Sequence, residues 1–399
     1  MNSGKRQLLP LTGMRCFLAL WVVVYHQIPA VHTLAIDWFP NAPDIVPCLI
    51  RTGYVAVSVF FVLSGFVLSY NYDLGKRWPP SAVWRFAAAR FARVYPAYFL
   101  GILLILPFML LRAAKGVTDL ATQAFFGLLS VMLLQSWNPW AALTWNYPGW
   151  SLSNEVFFYS MFPFAGVLLW RLKRPGSLTI GLLSLWALSL VAPLWSVAAH
   201  VHSFGDAPAT AHTMDPSVGP LANFVKYNPL LRIPEFFAGI LLGRIYILIE
   251  AITPRWIGRG YWLYLPGMLL AGAALANADR IPLPLINSGL LLPFYACIIL
   301  GLALDGGIVA RFLSTGPLVF LGNASYSMYI LHVPLSLFLM VFVKHILALV
   351  PAGLGWVGVY SGTVVAVSCV VYKFVEEPAN RYLKGKLIRR PPTAMATTA

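Results

Sequence analysis

The stretch Leu8-Leu-Pro-Leu-Thr-Gly-Met-Arg15-Cys-Phe-Leu-Ala-Leu-Trp-Val-Val-Val-Tyr-His26 decides the fold class. It is almost wholly apolar and continues to about residue 31, and a bilayer core of about 30 Å needs roughly 20 such residues in one helix. It lacks a convincing small-x-small cleavage site, so it reads as a first membrane helix and not as a removable leader. Ten further runs of similar character follow, at 50–71, 95–111, 119–136, 150–170, 177–198, 228–249, 260–277, 283–304, 318–344 and 355–375.

Composition agrees. Of 399 residues, 59% are hydrophobic and 10% charged, with a mean hydropathy of +0.75. Soluble domains carry about 25% charged residues, so a water-facing surface cannot be built from this pool. That excludes a soluble enzyme, a secreted module and a disordered chain. Fourteen Trp and eighteen Tyr suit the water–lipid boundary. The net charge of +15 does not indicate a nucleic-acid partner, because the basic residues lie between apolar runs and not in one stripe. The four cysteines are scattered without metal-ligand spacing, and no metal site or permanently bound cofactor is expected.

Charge asymmetry sets an expected topology. With a cytoplasmic N-terminus and 119–136 entering and leaving on the outer side, ten helices cross and 21 of the 28 Lys and Arg fall inside against 7 outside. Making 95–111 the non-crossing piece instead gives 23 against 5, so charge favours ten crossings over eleven without choosing between these two segments. The reading is therefore an all-α polytopic membrane helix bundle, about ten transmembrane helices plus one re-entrant or non-crossing segment. Both termini are cytoplasmic, in a plasma (bacterial inner) membrane. One membrane domain covers 1–383, and 384–399 is a basic, then low-complexity tail.

Ionisable groups inside such spans cost about 2.5–3.5 kcal/mol each and mark functional sites by default. Arg15 and His26 are eleven residues, about three turns, apart. They share one helix face, separated by about 16 Å along the axis. Arg15 is either a snorkelling anchor or a ligand contact, and His26 either a packed interhelical histidine or a reactive one. Glu155, in Trp150-Ser151-Leu-Ser-Asn154-Glu155, is read near the outer end of its span, at the depth of His26. A carboxylate beside an imidazole raises its basicity and fixes its tautomer, as a general base requires. The pair would equally serve a proton-coupled secondary transporter. Arg90-Phe-Ala-Arg93 presents two guanidinium groups on one face, suited to phosphate oxygens or to lipid head groups. Glu235 and His332 line a site or bridge helices. His200, His202 and His212 read as loop residues, and Lys373 to Glu377, with Arg381, as a charge-paired helix end.

Together these motifs resemble the membrane acyltransferase family 3. Arg15-x10-His26, Phe60-Phe-Val-Leu-Ser64-Gly-Phe66, Arg90-x-x-Arg93 with Val94-Tyr-Pro96, Trp150-Ser-Leu-x-x-Glu155, Pro234-Glu-Phe-Phe-Ala-Gly239, Ser325-Tyr-Ser-Met-Tyr329 with His332, and Val375-Glu-Glu-Pro378 occur in the family's order over about 8–383. The resemblance implies transfer of an acyl group, commonly acetyl from acetyl-CoA, to a hydroxyl of a glycan, glycolipid or glycosylated small molecule. It makes His26 the expected catalytic residue and Arg90 and Arg93 expected acyl-CoA contacts, with Arg15 assisting. Glu155 is expected to orient His26. Ser64, Trp150, Ser151, Asn154, Glu235, Tyr329 and His332 are candidates to line the substrate site. The acidic span residue is followed by Val156-Phe-Phe-Tyr159, where relatives commonly have Glu-Gln-Phe-Tyr, and the hydrolase-like domain fused to some relatives is not in this sequence.

Overall fold

The computed structural model describes residues 5–27, 45–72, 74, 77–169, 172–200, 219–342 and 354–388. His202, His212 and the tail from 389 lie outside them. All regular structure among the described residues is helical: α1 Leu9–Tyr25, α2 Ile45–Arg51, α3 Ala56–Asn71, α4 Pro80–Ala114, α5 Leu120–Val131, α6 Gly149–Leu169, α7 Pro175–Ala198, α8 Pro220–Tyr227, α9 Pro229–Ile252, α10 Tyr261–Ala276, α11 Leu283–Asn287, α12 Leu292–Leu304, α13 Gly307–Leu313, α14 Gly316–Phe342, α15 Leu354–Val371 and α16 Glu377–Leu387. Every expected span has its helix. Six helical stretches are long and apolar enough to cross a membrane by length and composition, and shorter apolar helices accompany them. Lys384 and Lys386 belong to the end of α16 and not to a tail.

The segments 95–111 and 119–136 differ in length. The first lies inside the 35-residue α4, which opens with the basic Arg85–Arg93 stem before its apolar part. The second is the 12-residue α5, which rises only about 18 Å. After α5 the chain turns back: Trp145 Nε1 donates to Gln123 O (3.3 Å), and the loop reaches Pro139, whose carbonyl accepts from Asn223 (3.1 Å). Segment 119–148 thus folds back and is tied to the rest of the bundle by these bonds. Pro334 helps. A proline frees the carbonyl four residues before it, and that carbonyl, Ile330 O, accepts from Asn146 Nδ2 at 3.0 Å.

Two helix pairs form the centre, α3 against α9 and α1 against α14. Small residues allow the first: a Cβ on Gly65 would overlap Phe236 O, and one on Gly239 would overlap Val62 O. These pairs carry Arg15, His26, Ser64, Glu235, Tyr329 and His332 to the bundle axis. Below, the end bearing Lys5, Arg6 and the α4 stem is called the basic end, the other the far end.

Candidate active site

A cavity of about 910 Å³, counting its open mouth, lies between α1, α3, α4, α6 and α14. Arg15, Arg90, Arg93, Glu155, Ser64 and Tyr326 line it among others. It joins a second cavity at Arg15, Leu63 and Val67, which line both, and that one opens past Lys5 and Arg6 at the basic end.

The arginines are not equivalent. Arg93 is ion-paired to Glu376, a fully buried carboxylate that also accepts from Ser327 Oγ at 2.7 Å. Arg90 has no carboxylate partner among the described residues. Its guanidinium sits about 6 Å from the ring centroids of Tyr72, Phe86 and Tyr159, and its buried Nε has no hydrogen-bond partner. Arg15 makes no ion pair among the described residues; it lies in Coulombic range of Arg93, Glu155 and Glu376. Lys384 of α16 is in similar range of Arg90 and Arg93.

Glu155 belongs to this cavity and does not pair with His26. Its carboxylate accepts from Ser64 Oγ (3.2 Å) and from Tyr159 OH. The segment before α6 fixes where that helix starts. Gly149, where α6 starts, is held inside the bundle by Gln135 Nε2 on its carbonyl (2.7 Å) and packs against Tyr98. Glu155, six residues on, lines the same cavity as Arg15 and lies in Coulombic range of it.

His26 lies against His332. The two rings lie 4.6 Å apart between centroids. His26 Nδ1 is 2.8 Å from Val22 O and His332 Nδ1 is 2.7 Å from Tyr329 O. A carbonyl only accepts, so each neutral ring carries its proton on Nδ1 and keeps a lone pair on Nε2. His332 is fully buried and its Nε2 has no partner. Tyr329 connects this pair to the cationic cavity: its ring lies 6.1 Å from His332, its hydroxyl 2.8 Å from Ser151 Oγ, and both Tyr329 and Ser151 line that cavity. On its other side His26 lines a separate cavity toward the far end, with Gln123, Trp145 and Tyr147.

The remaining candidates divide. Asn154 is fully buried with both amide atoms unpartnered, but it does not line the cationic cavity. Glu235 is ion-paired at 3.2 Å to Arg232 one turn earlier on α9, both buried, and does not line the cationic cavity. Arg232 also donates to Asn287 O (2.6 Å), Ser58 Oγ (2.8 Å) and Ser288 Oγ, and lies 6.0 Å from the Trp150 ring. Trp150 packs on Tyr227, 4.8 Å away. Sequence reasoning missed Arg232 and Glu376. Arg232 stood three residues before Glu235 in an apolar run. Glu376 sat in the closing motif, where a π-helical turn, Tyr372–Glu376, directs it inward while Glu377 pairs with Arg381 outside.

This is the interior of a polytopic membrane acyltransferase. The chain belongs to the membrane acyltransferase family 3, whose model, described as an acyltransferase domain, matches residues 10–373. It is similar to Acyltransferase MdmB of Streptomyces mycarofaciens, 30% identical over 333 residues that cover 81% of this chain and 77% of that one. The Exopolysaccharide production protein ExoZ of Rhizobium meliloti (strain 1021) is 28% identical over 342 residues, 82% and 90% of the two chains. Nodulation protein 10 of Rhizobium leguminosarum bv. viciae is 23% identical over 361 residues, 84% of each. No solved structure matches the chain.

Proposed function

We propose that the protein transfers an acyl group, acetyl in the first instance, from cytoplasmic acyl-CoA to a hydroxyl of a carbohydrate-bearing acceptor on the opposite side of the membrane, with His26 as general base. One observation carries this reading: the His26–His332–Tyr329 layer separates two cavities, with Tyr329 bounding the cationic one and His26 the far one. The excess of Lys and Arg at the basic end supports its being cytoplasmic, where acyl-CoA is made.

The acyl-CoA phosphates enter past Lys5 and Arg6 and meet Arg90 and Arg15. The pantetheine arm then follows the face of α1 for the roughly 16 Å to His26. His26 Nε2 removes the proton of the acceptor hydroxyl as its oxygen attacks the thioester carbonyl. Collapse of the tetrahedral intermediate breaks the C–S bond, and the departing thiolate takes the proton from His26. Tyr329 OH, which in the empty site is bonded to Pro148 O and Ser151 Oγ, is the proposed donor to the developing oxyanion once it turns from Pro148. His332 holds the His26 ring in place. Glu155, at the cationic end, sets charge and does not orient the base.

The test is complementation. Cells lacking the gene are compared with cells carrying wild type or His26→Ala, using mass spectrometry of surface glycans and secreted metabolites to find an acyl mass that disappears. Loss of a general base costs about 10²- to 10⁴-fold, so His26→Ala should fail to restore the product while purified protein still binds CoA. Restoration to wild-type levels would end the proposal.

A further inference from the structure

A groove of about 1420 Å³, counting its open side, lies between α4, α6 and the residues that close α5. It meets the cationic cavity at Arg90, Val94 and Tyr159, which line both. We infer that this groove holds one anionic phospholipid of the surrounding bilayer, with its phosphate on Arg90 and an acyl chain along the apolar wall.

Three features carry this. The groove faces lipid: Ala87, Phe91, Met132, Val156 and Ser160 line it and are exposed, and the outward side chains of a membrane bundle lie against acyl chains. Its chemistry fits a single anion on a chain. Apart from Arg90 the lining is apolar but for three hydroxyls, and each already donates: Tyr95 OH to Val131 O (3.2 Å), Ser160 Oγ to Phe157 O (2.7 Å) and Tyr159 OH to Glu155. A nucleotide or a glycan would find one strong partner there and leave its other polar groups unpaired. The Arg90 guanidinium has no carboxylate partner among the described residues and lies about 6 Å from three aromatic rings, so a phosphate gains charge-assisted hydrogen bonds without displacing an ion pair. Glu155 lines the cationic cavity and not the groove, and Lys384 of α16 lies in Coulombic range of Arg90. Depth fits as well. Arg90 stands where the basic stem of α4 gives way to its apolar part, the level of lipid head groups, and Phe91, Val94 and Tyr95 lead from it toward Val131 and Leu133. Resting on the reading of Arg90 as a donor contact, lipid phosphate and CoA phosphate contest one guanidinium, and the anionic lipid content of the membrane then tunes donor affinity.

Photolabelling in nanodiscs tests this. The purified full chain is reconstituted with phosphatidylglycerol or phosphatidylcholine carrying a diazirine on one acyl chain, and modified peptides are mapped by mass spectrometry. The expected result is phosphatidylglycerol label concentrated on 91–95 and 131–133, at least fivefold above phosphatidylcholine. It should fall at least fivefold in Arg90→Ala and in Ala87→Trp, which fills the groove from an exposed position. Equal labelling by the two lipids, or label scattered over outward-facing residues such as Leu269 and Ile180, overturns the inference. Full competition by oleate at equal mole fraction also overturns it and assigns a carboxylate amphiphile instead. CoA titration in unlabelled nanodiscs reads the competition. Replacing phosphatidylcholine by phosphatidylglycerol should weaken CoA binding at least threefold more in wild type than in Ala87→Trp, where only the surface potential of the bilayer acts. An equal shift in both ends the competition. The labelling arm contains no CoA, so Arg90-dependent label beside wild-type CoA affinity in Arg90→Ala would keep the lipid site and remove Arg90 from the donor site.

Discussion

Arg90 and Arg93, alike in sequence, should fail in different ways when removed. Arg90 has aromatic neighbours, no carboxylate partner among the described residues and an unsatisfied Nε, so its removal breaks no ion pair in the empty protein. On the proposed reading, what is lost is a contact to the donor. A hydrogen bond to a charged group is worth about 1.5–3 kcal/mol, which at 1.4 kcal/mol per tenfold is about a 10- to 150-fold weakening of CoA binding. Arg90→Lys keeps the charge but not the fork, and should fall between wild type and Arg90→Ala.

Arg93→Ala leaves Glu376 buried without its cation. Orphaning one member of a buried pair costs about 3–5 kcal/mol. Arg93 is about a quarter exposed, so the lower end is expected. The variant should therefore unfold earlier in detergent, and Arg93→Met combined with Glu376→Leu should recover most of the loss. Isothermal titration with CoA and thermal unfolding of the same preparations separate the two effects. Wild-type CoA affinity in Arg90→Ala, together with a stable Arg93→Ala that has lost CoA binding, would refute the assignment of free and engaged arginines.

Two other substitutions follow from the same geometry. Glu155→Gln keeps an acceptor for Ser64 and Tyr159 while removing a negative charge near Arg15; product formation in the complementation assay should fall less than about tenfold and CoA should bind more tightly, and a loss equal to that of His26→Ala would restore Glu155 as the partner of the base. Arg232→Met strands Glu235 and should cost about 3–5 kcal/mol in thermal unfolding, largely recovered by Arg232→Met with Glu235→Leu; an unchanged single variant would show that the pair contributes nothing to the fold.

What the sequence disclosed followed from local rules. Span length locates the helices, and helical periodicity puts Arg15 and His26 on one face, because both depend only on neighbouring residues. Depth does not. Glu155 was read near the outer end of a span, and charge left 95–111 and 119–136 equally able to be the non-crossing piece, because the bonds that fold 119–148 back are not visible in composition. Gln135 and Asn146, which hold it in place, find their partners in Gly149 and Ile330, the second almost two hundred residues away. The α4 stem was invisible to a hydropathy reading because its arginines interrupt the apolar pattern. Glu376 faces inward through a π-helical turn, and His332 meets His26 through the pairing of α1 with α14; neither has a signature in the spacing of residues along the chain.

The charge balance around the cationic cavity explains why its acids sit where they do. Three arginines facing one low-dielectric space would repel strongly when no donor is bound. Glu376 takes Arg93 directly, and Glu155, secured by two hydroxyls, moderates Arg15. Counting those five groups, the empty cavity keeps a single net positive charge, with Lys384, Lys5 and Arg6 near its edges. That is enough to draw in a polyanion and small enough to be tolerated without one. On the proposed reaction, a carboxylate placed instead against His26 would leave Arg15 unrelieved and put an anion where the thiolate departs. On this balance Glu155 is better used near Arg15, eleven residues along α1 from the base, than beside the base.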